Sequence, residues 1–171
     1  MNTVNFRRPT ISDANEIWNL VKNCPPLDLN SQYLYLILCH HFSDTCIVAE
    51  SNSKIIGFVS AYIPPDKKDI LFVWQVAVRK ENRGSKIASE MISNLFYRLQ
   101  EKGVTILEAT VTPSNKASKT LFNSLKTQFR SKIVETPLFV KEYFGSDDHE
   151  QEDLVQIGPI IPRKPVEMKL Q

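Results

Sequence analysis

Cysteine is scarce: the 171 residues hold only Cys24, Cys39 and Cys46. Odd in number and without a CxxC spacing, they exclude a disulfide framework and a thiolate zinc site. Histidine is no richer, and His40 and His41 are adjacent, so their side chains diverge on a helix and make no metal pair. No apolar run reaches the ~18 residues of a membrane span, and the amino-terminal stretch has no signal-type apolar core. The expectation is a cytoplasmic protein with reduced thiols and no membrane partner. Charge of one sign is also missing, because 21 Lys and Arg against 19 Asp and Glu leave a formal net charge of +2. Spread along the chain, that charge argues against a nucleic-acid partner. Internal repeats and low-complexity segments are absent.

What is present suits one α/β domain large enough to bury a core without a staple. Val4 to Arg7 predicts a short edge strand. Thr10 and Asp13 fit a capping box ahead of Ile11, Ala14, Ile17, Trp18 and Val21 at helical spacing, ended by Pro25 and Pro26. Ser31 is placed to cap a second helix. Cys46 to Glu50, Lys54 to Pro64 and Ile70 to Val78 read as a three-strand meander. Then follow a helix over Ser85 to Glu101, a buried strand from Val104 to Pro113, and a helix over Lys116 to Thr127. Weaker strand signals lie at Phe129 to Glu135 and Leu154 to Gly158. One domain is expected over residues 1–158, with a flexible tail over 159–171.

Two places suggest chemistry. Strand Ile70 to Val78 runs through a basic turn, Arg83-Gly84-Ser85-Lys86, into an amphipathic helix, so backbone N–H groups at a helix start face an anion. Glu108 lies inside an apolar strand, where an unpaired carboxylate is costly, so it is paired, protonated or open to a cleft. Asp28 and Asn30 sit in the Pro-stiffened Cys24 to Ser31 loop and are equally suited to turn and cap duty. Trp74 and Gln75, neighbours on a strand, are expected on opposite faces.

The order strand, basic turn, helix, strand, helix resembles the GCN5-related N-acetyltransferase (GNAT) family. The family turn, Arg/Gln-x-x-Gly-x-Gly/Ala and usually with a second glycine directly after the Arg, is matched by Arg83, Gly84 and Ala88, with Lys86 standing where glycine is usual; a helical φ would suit lysine there and let its charge face a pyrophosphate. Asn115 to Phe122 matches Asn-x-x-Ala-x-x-Leu-Tyr except that Phe122 replaces the tyrosine. CPPLDLNS (24–31), FVWQVAV (72–78), LEATVTPSNKAS (107–118) and the stretch from His149 to Pro159 narrow the likeness to the branch that acetylates L-2,4-diaminobutyrate for ectoine biosynthesis.

The resemblance implies a mixed, mostly antiparallel twisted sheet of about six to seven strands with about four helices around it. It implies acetyl-CoA as co-substrate, no metal, and a homodimer. Carried over by position, Val76 and Val78 hold the pantetheine arm, and the N–H near Val76 polarises the thioester. Arg83, Gly84, Ser85, Lys86, Ile87 and Ala88 hold the pyrophosphate, and Asn115 and Ser118 contact the cofactor. Glu108 is the first choice of base, with Asp28 second and favoured as an ammonium anchor. Asn30, Tyr33, Trp74, Thr110, Thr112 and a protonated His149 complete the expected acceptor site. Two other readings stay open: a GNAT enzyme for another small diamine or amino acid, and a catalytically degenerate acyl-CoA sensor.

Overall fold

The computed structural model describes residues 3–145 and 149–161. A seven-stranded sheet runs in the order β1-β2-β3-β4-β5-β7-β6, formed by β1 (Asn5–Arg7), β2 (Ile47–Ser51), β3 (Lys54–Tyr62), β4 (Ile70–Val78), β5 (Ile106–Val111), β6 (Ile133–Phe139) and β7 (Glu152–Ile157). Every neighbouring pair is antiparallel except β4 and β5. The helices are α1 (Ala14–Lys22), α2 (Gln32–His41), α3 (Ile87–Gln100) and α4 (Lys116–Phe129). The expected mixed, mostly antiparallel sheet with helices around it is borne out.

Alternation along the strands builds two cores, one on each face. Leu71, Val73, Leu107, Ala109 and Val155 pack with Met91, Ile92, Leu95 and Phe96 of α3 and Phe122 and Leu125 of α4. Val48, Phe58 and Ala77 meet Ile17, Leu20 and Val21 of α1 and Tyr35, Leu38 and Cys39 of α2 on the opposite face. Because α1 and α2 cover only β2 to β4, the same face continues uncovered by helices over β5, β7 and β6. That continuation carries Glu108, Thr110 and Glu152, three residues of β5 and β7 that turn away from α3.

Several boundaries shift from their expected places. The third helix starts at Ile87 rather than Ser85, because Lys86 is left-handed (φ 64°) and ends the turn instead of opening the helix. Phe129 closes α4 rather than opening β6. Pro137 is accommodated inside β6 because that strand is an edge. β7 begins at Glu152, two residues earlier than its apolar pattern indicated. Of the stretch expected to be a tail, Ile160 is buried and its N–H donates to the Thr105 carbonyl at 2.7 Å. Residues 162–171 lie outside the described residues.

Candidate active site

The site begins where the sheet opens. β4 and β5 pair from Ile70↔Ile106 to Val73↔Ala109 and then part. At that point β4 carries a bulge: Ala61 pairs with Val73 and Ser60 with Gln75, leaving Trp74 unopposed. The bulge changes the strand's parity. Val73 and Val78 face the α3 side, while Gln75 and Ala77 face α1 and α2, so Gln75 shares a face with Phe72, contrary to the simple alternation expected for this strand. Gln75 donates its N–H to Ser60 Oγ (3.2 Å) and Arg79 its N–H to the Ile56 carbonyl (2.9 Å), both toward β3. The N–H groups of Val76 and Val78, at the intervening positions, therefore point into the opening. The Val78 carbonyl there already accepts from Arg83 Nε (3.1 Å) and Cys24 Sγ (3.4 Å).

The basic turn lies at the end of this opening. Gly84 (φ 79°) and Lys86 (φ 64°) are both left-handed, alternating with ordinary residues, and this curls successive N–H groups toward one concavity at the amino terminus of the 14-residue α3. A Cβ on Gly84 would meet nothing within 4 Å, so the concavity is open. The helical φ expected at Lys86 is corrected: the position has the conformation that glycine ordinarily supplies. Arg83 spends its Nε on Val78, and Ser85 Oγ donates to the Asn82 carbonyl. The turn thus offers a pyrophosphate mainly backbone N–H groups, Ile87 and Ala88 included. Across the opening, Asn115 caps α4, its Oδ1 accepting from the Ser118 N–H at 3.0 Å. Phe122 is buried in the core beneath α3 and α4.

On the uncovered face, Leu107 and Ala109 turn toward α3, so Glu108 and Thr110 point the other way. Glu108 is only 5% exposed and its Oε1 accepts from Gln156 Nε2 at 2.8 Å across the Glu108↔Gln156 pair. Glu152 stands on the same face as Gln156 by alternation. Burial pushes the Glu152 carboxyl up; the Thr110 side chain and the positive charge of His149 pull it down, and Asp28 and Asp153 push it up again. The Thr110 side chain thus hydrogen-bonds Glu152, and the charges of His149 and Asp28 lie near enough to act on it. His149 stacks on Phe144 (3.7 Å between ring centres, 9° apart) and its Nδ1 lies 2.6 Å from the Glu150 carbonyl. Glu150 itself accepts from the N–H and hydroxyl of Ser114 at the β5 to α4 turn.

The other expected acceptor residues divide. Trp74 is 46% exposed at the bulge and remains available to line a cavity. Thr112 closes the turn, its carbonyl accepting from the Asn115 N–H (3.0 Å). Tyr33 is 70% exposed on the first turn of α2. Asn30 is occupied with the loop itself: its carbonyl accepts from Trp18 Nε1 (3.1 Å) and its side chain and backbone lie against the Tyr35 hydroxyl. Glu152 is not among the residues expected from the sequence; its signal is the spacing Glu152-x-Leu154-x-Gln156, masked by the acidic residues Asp147, Asp148, Glu150 and Asp153 around it. Of these, Asp147 and Asp148 lie outside the described residues. Among the described residues no group of His, Cys, Asp and Glu could hold a metal ion, and no helix is long and apolar enough to cross a membrane.

A sheet split beside a bulge, with a backbone anion cradle at one end and carboxylates at the other, defines a protein built to hold an acyl-thioester against an acceptor. The model of the Acetyltransferase (GNAT) family matches residues 14–125, and the chain belongs to that family. Curated relatives include the L-2,4-diaminobutyric acid acetyltransferases of Marinococcus halophilus (42% identical, covering 93% of this chain and 92% of that protein) and Bordetella parapertussis (45%, covering 90% and 83%). Among solved structures, diaminobutyrate acetyltransferase EctA from Paenibacillus lautus, in complex with L-2,4-diaminobutyric acid and coenzyme A, superposes with a TM-score of 0.88 at 38% identity, covering 96% of this chain and 99% of that one. Ard1 from Thermoplasma volcanium, 13% identical with a TM-score of 0.71, shares the fold.

Proposed function

We propose that this chain is an acetyl-CoA-dependent N-acetyltransferase that converts L-2,4-diaminobutyrate to N4-acetyl-L-2,4-diaminobutyrate with release of CoA. The observation that carries the reading is the half-buried Glu152, in reach of the Thr110 side chain and of the charges of His149 and Asp28, in a chain whose sheet opens between β4 and β5 and that is so similar to diaminobutyrate acetyltransferases. A diamino acid brings two ammonium groups and one carboxylate. Asp28 anchors the ammonium that does not react, His149 in its protonated form faces the carboxylate, and Trp74 forms the apolar wall.

An alkyl ammonium with a pKa near 10 must lose a proton before it attacks. Glu152 is assigned that proton, directly or through one water, because burial lifts its carboxyl toward the working range of a base. Glu108, with its Oε1 held by Gln156, takes second place and orients the acceptor. The amine nitrogen forms a bond to the thioester carbon, and the Val76 N–H steadies the oxyanion. Collapse breaks the C–S bond, the acylated nitrogen sheds its extra proton, and the expelled thiolate takes up a proton to leave as CoA. With a thiol pKa near 8.5, that thiolate leaves without the tyrosine that Phe122 replaces.

Transfer is direct, within a ternary complex. Burial pushes the Cys39 and Cys46 thiols up to about 11 and about 12, so neither supplies a thiolate nucleophile. The residues fit the cofactor: the left-handed pair Gly84 and Lys86 with the α3 amino terminus suits the pyrophosphate, and the β4 edge at Val76 suits the pantetheine. The enzyme would act in the cytoplasm, as one domain and a homodimer, in cells that accumulate ectoine under osmotic stress.

The test is NMR identification of the product formed from diaminobutyrate and acetyl-CoA. N4-acetyl-diaminobutyrate is expected. Acetylation of simple diamines with equal kcat/KM would assign the chain to another acceptor, and tight acetyl-CoA binding without CoA release across a panel of amines would make it a sensor.

A further inference from the structure

Resting on that reading, we infer that Gln75 is a positioning residue that locks the acceptor loop to the thioester strand and thereby sets the distance between the bound amine and the oxyanion-stabilising N–H of Val76. Gln75 is 4% exposed, a polar side chain buried in the middle of β4, and the chemistry just described gives it no role. Its side-chain amide and its backbone N–H are nonetheless bonded. Nε2 donates to the Asp28 carbonyl at 2.8 Å, Oε1 accepts from the Tyr35 hydroxyl at 3.2 Å, and the backbone N–H donates to Ser60 Oγ at 3.2 Å.

These three bonds join three different parts of the molecule. The Asp28 carbonyl belongs to the loop whose side chain anchors the amine. Tyr35, fully buried on α2, lies against Asn30 at the other end of that loop. Ser60 sits on β3 opposite the bulge, so its hydroxyl takes the N–H that the irregular register would otherwise leave without a strand partner. Gln75 is thus fixed relative to the bulge, and the next residue in the chain is Val76. A displacement of the loop against β4 cannot occur without breaking buried hydrogen bonds, which makes the network stiff where reaction geometry demands it.

The bonds of the network reach Asp28, Tyr35 and Ser60 and involve neither the Arg83 to Ala88 turn nor α3. Its loss should therefore fall on the amine and on turnover, not on acetyl-CoA. A merely structural residue would not divide the two substrates.

The experiment compares wild type, Gln75→Met, Tyr35→Phe and the double variant at a temperature well below each one's unfolding. Steady-state kinetics are measured with the amine the wild type uses, and CoA affinity by calorimetry. We expect each single variant to lower kcat/KM for the amine by about 10- to 100-fold, with CoA affinity and the KM for acetyl-CoA within threefold of wild type. The double variant should be no worse than the weaker single, because both act through one network. The inference is overturned if both single variants keep kcat/KM for the amine within threefold, if amine and acetyl-CoA parameters fall together, or if the two losses multiply. Tyr35→Phe removes one hydroxyl and keeps the ring, so it decides the matter if Gln75→Met does not fold. A wild type inert toward diaminobutyrate but active on another diamine sinks the substrate assignment alone, and the same comparison then runs on that diamine.

Discussion

Glu152 and Glu108 lie on one sheet face yet stand in different surroundings. Glu108 is buried with an amide on its oxygen, whereas Glu152 is half-buried, raised by burial, hydrogen-bonded to the Thr110 side chain and subject to the charges of His149, Asp28 and Asp153. Removing the base from a general-base reaction costs typically about 10²- to 10⁴-fold. Glu152→Gln should lower kcat by an amount in that range while leaving acetyl-CoA affinity in place, and Glu108→Gln should cost less; the opposite order would return the base to Glu108. A base must be unprotonated to act, so wild-type kcat/KM for the amine should fall as pH drops through the raised value of Glu152, and that limb should vanish in Glu152→Gln. The stability effect has its own sign. A carboxyl raised in the folded state keeps its proton longer there than in the unfolded chain, so its contribution to stability declines as pH climbs from the ordinary carboxylate value toward the folded one. Cys24→Ala should retain turnover, since direct transfer needs no acetyl-cysteine; complete loss of product with both affinities intact would mark a covalent route.

Among the elements, the turn between β4 and α3 carries the clearest conflict between local preference and fold. A left-handed lysine costs about 1 kcal/mol or more relative to glycine, and Lys86 has φ 64°. Lys86→Gly is therefore expected to raise the free energy of unfolding by about 1 kcal/mol in urea titrations. If it also weakens CoA binding, the ammonium group contributes to holding the phosphates. The same turn shows how far sequence can be read. The bounds of β4, Ile70 to Val78, follow from its apolar run and the flanking turns, and the meander with its neighbours follows from the Ser51-Asn52-Ser53 hairpin. The bulge was not legible, because Val73-Trp74-Gln75-Val76 carries no glycine or other mark of a change in parity. The left-handed Lys86 was hidden in the same way, since its side chain signals a helix. Glu152 was hidden by its neighbours: an acidic run reads as solvated loop, and only the pairing of Leu154 and Gln156 with Thr110 and Glu108 shows that it is already strand. Asp28, Thr110 and Trp74 are expected at the site from the family resemblance alone, because a Pro-stiffened loop and a strand position suit turn, cap or core duty equally well.

For the whole molecule, the edge β6 leaves Val134, Leu138 and Phe139 exposed, continued by Val140 and Tyr143. An apolar edge of this kind invites a partner, and a second copy is the occupant the proposed homodimer supplies. Paired Leu138→Lys and Phe139→Glu substitutions should shift the sedimentation coefficient from dimer to monomer; a wild type that sediments as a monomer at micromolar concentration would remove the proposal. The parting of β4 from β5 reaches further than the chemistry. Among the described residues the ladder between β4 and β5 ends at Val73 and Ala109, so the leaf made of β5, β7 and β6 meets β4 along a short seam of strand pairing and otherwise through the core under α3 and α4. A pantetheine arm laid along β4 acts as a missing strand, and the cofactor is then part of the architecture. Acetyl-CoA at a hundred times its Kd should add about 2.7 kcal/mol of stability, visible as a higher Tm. Amide exchange should slow in β5 and β7, where protection records the seam being closed by a molecule the chain does not encode.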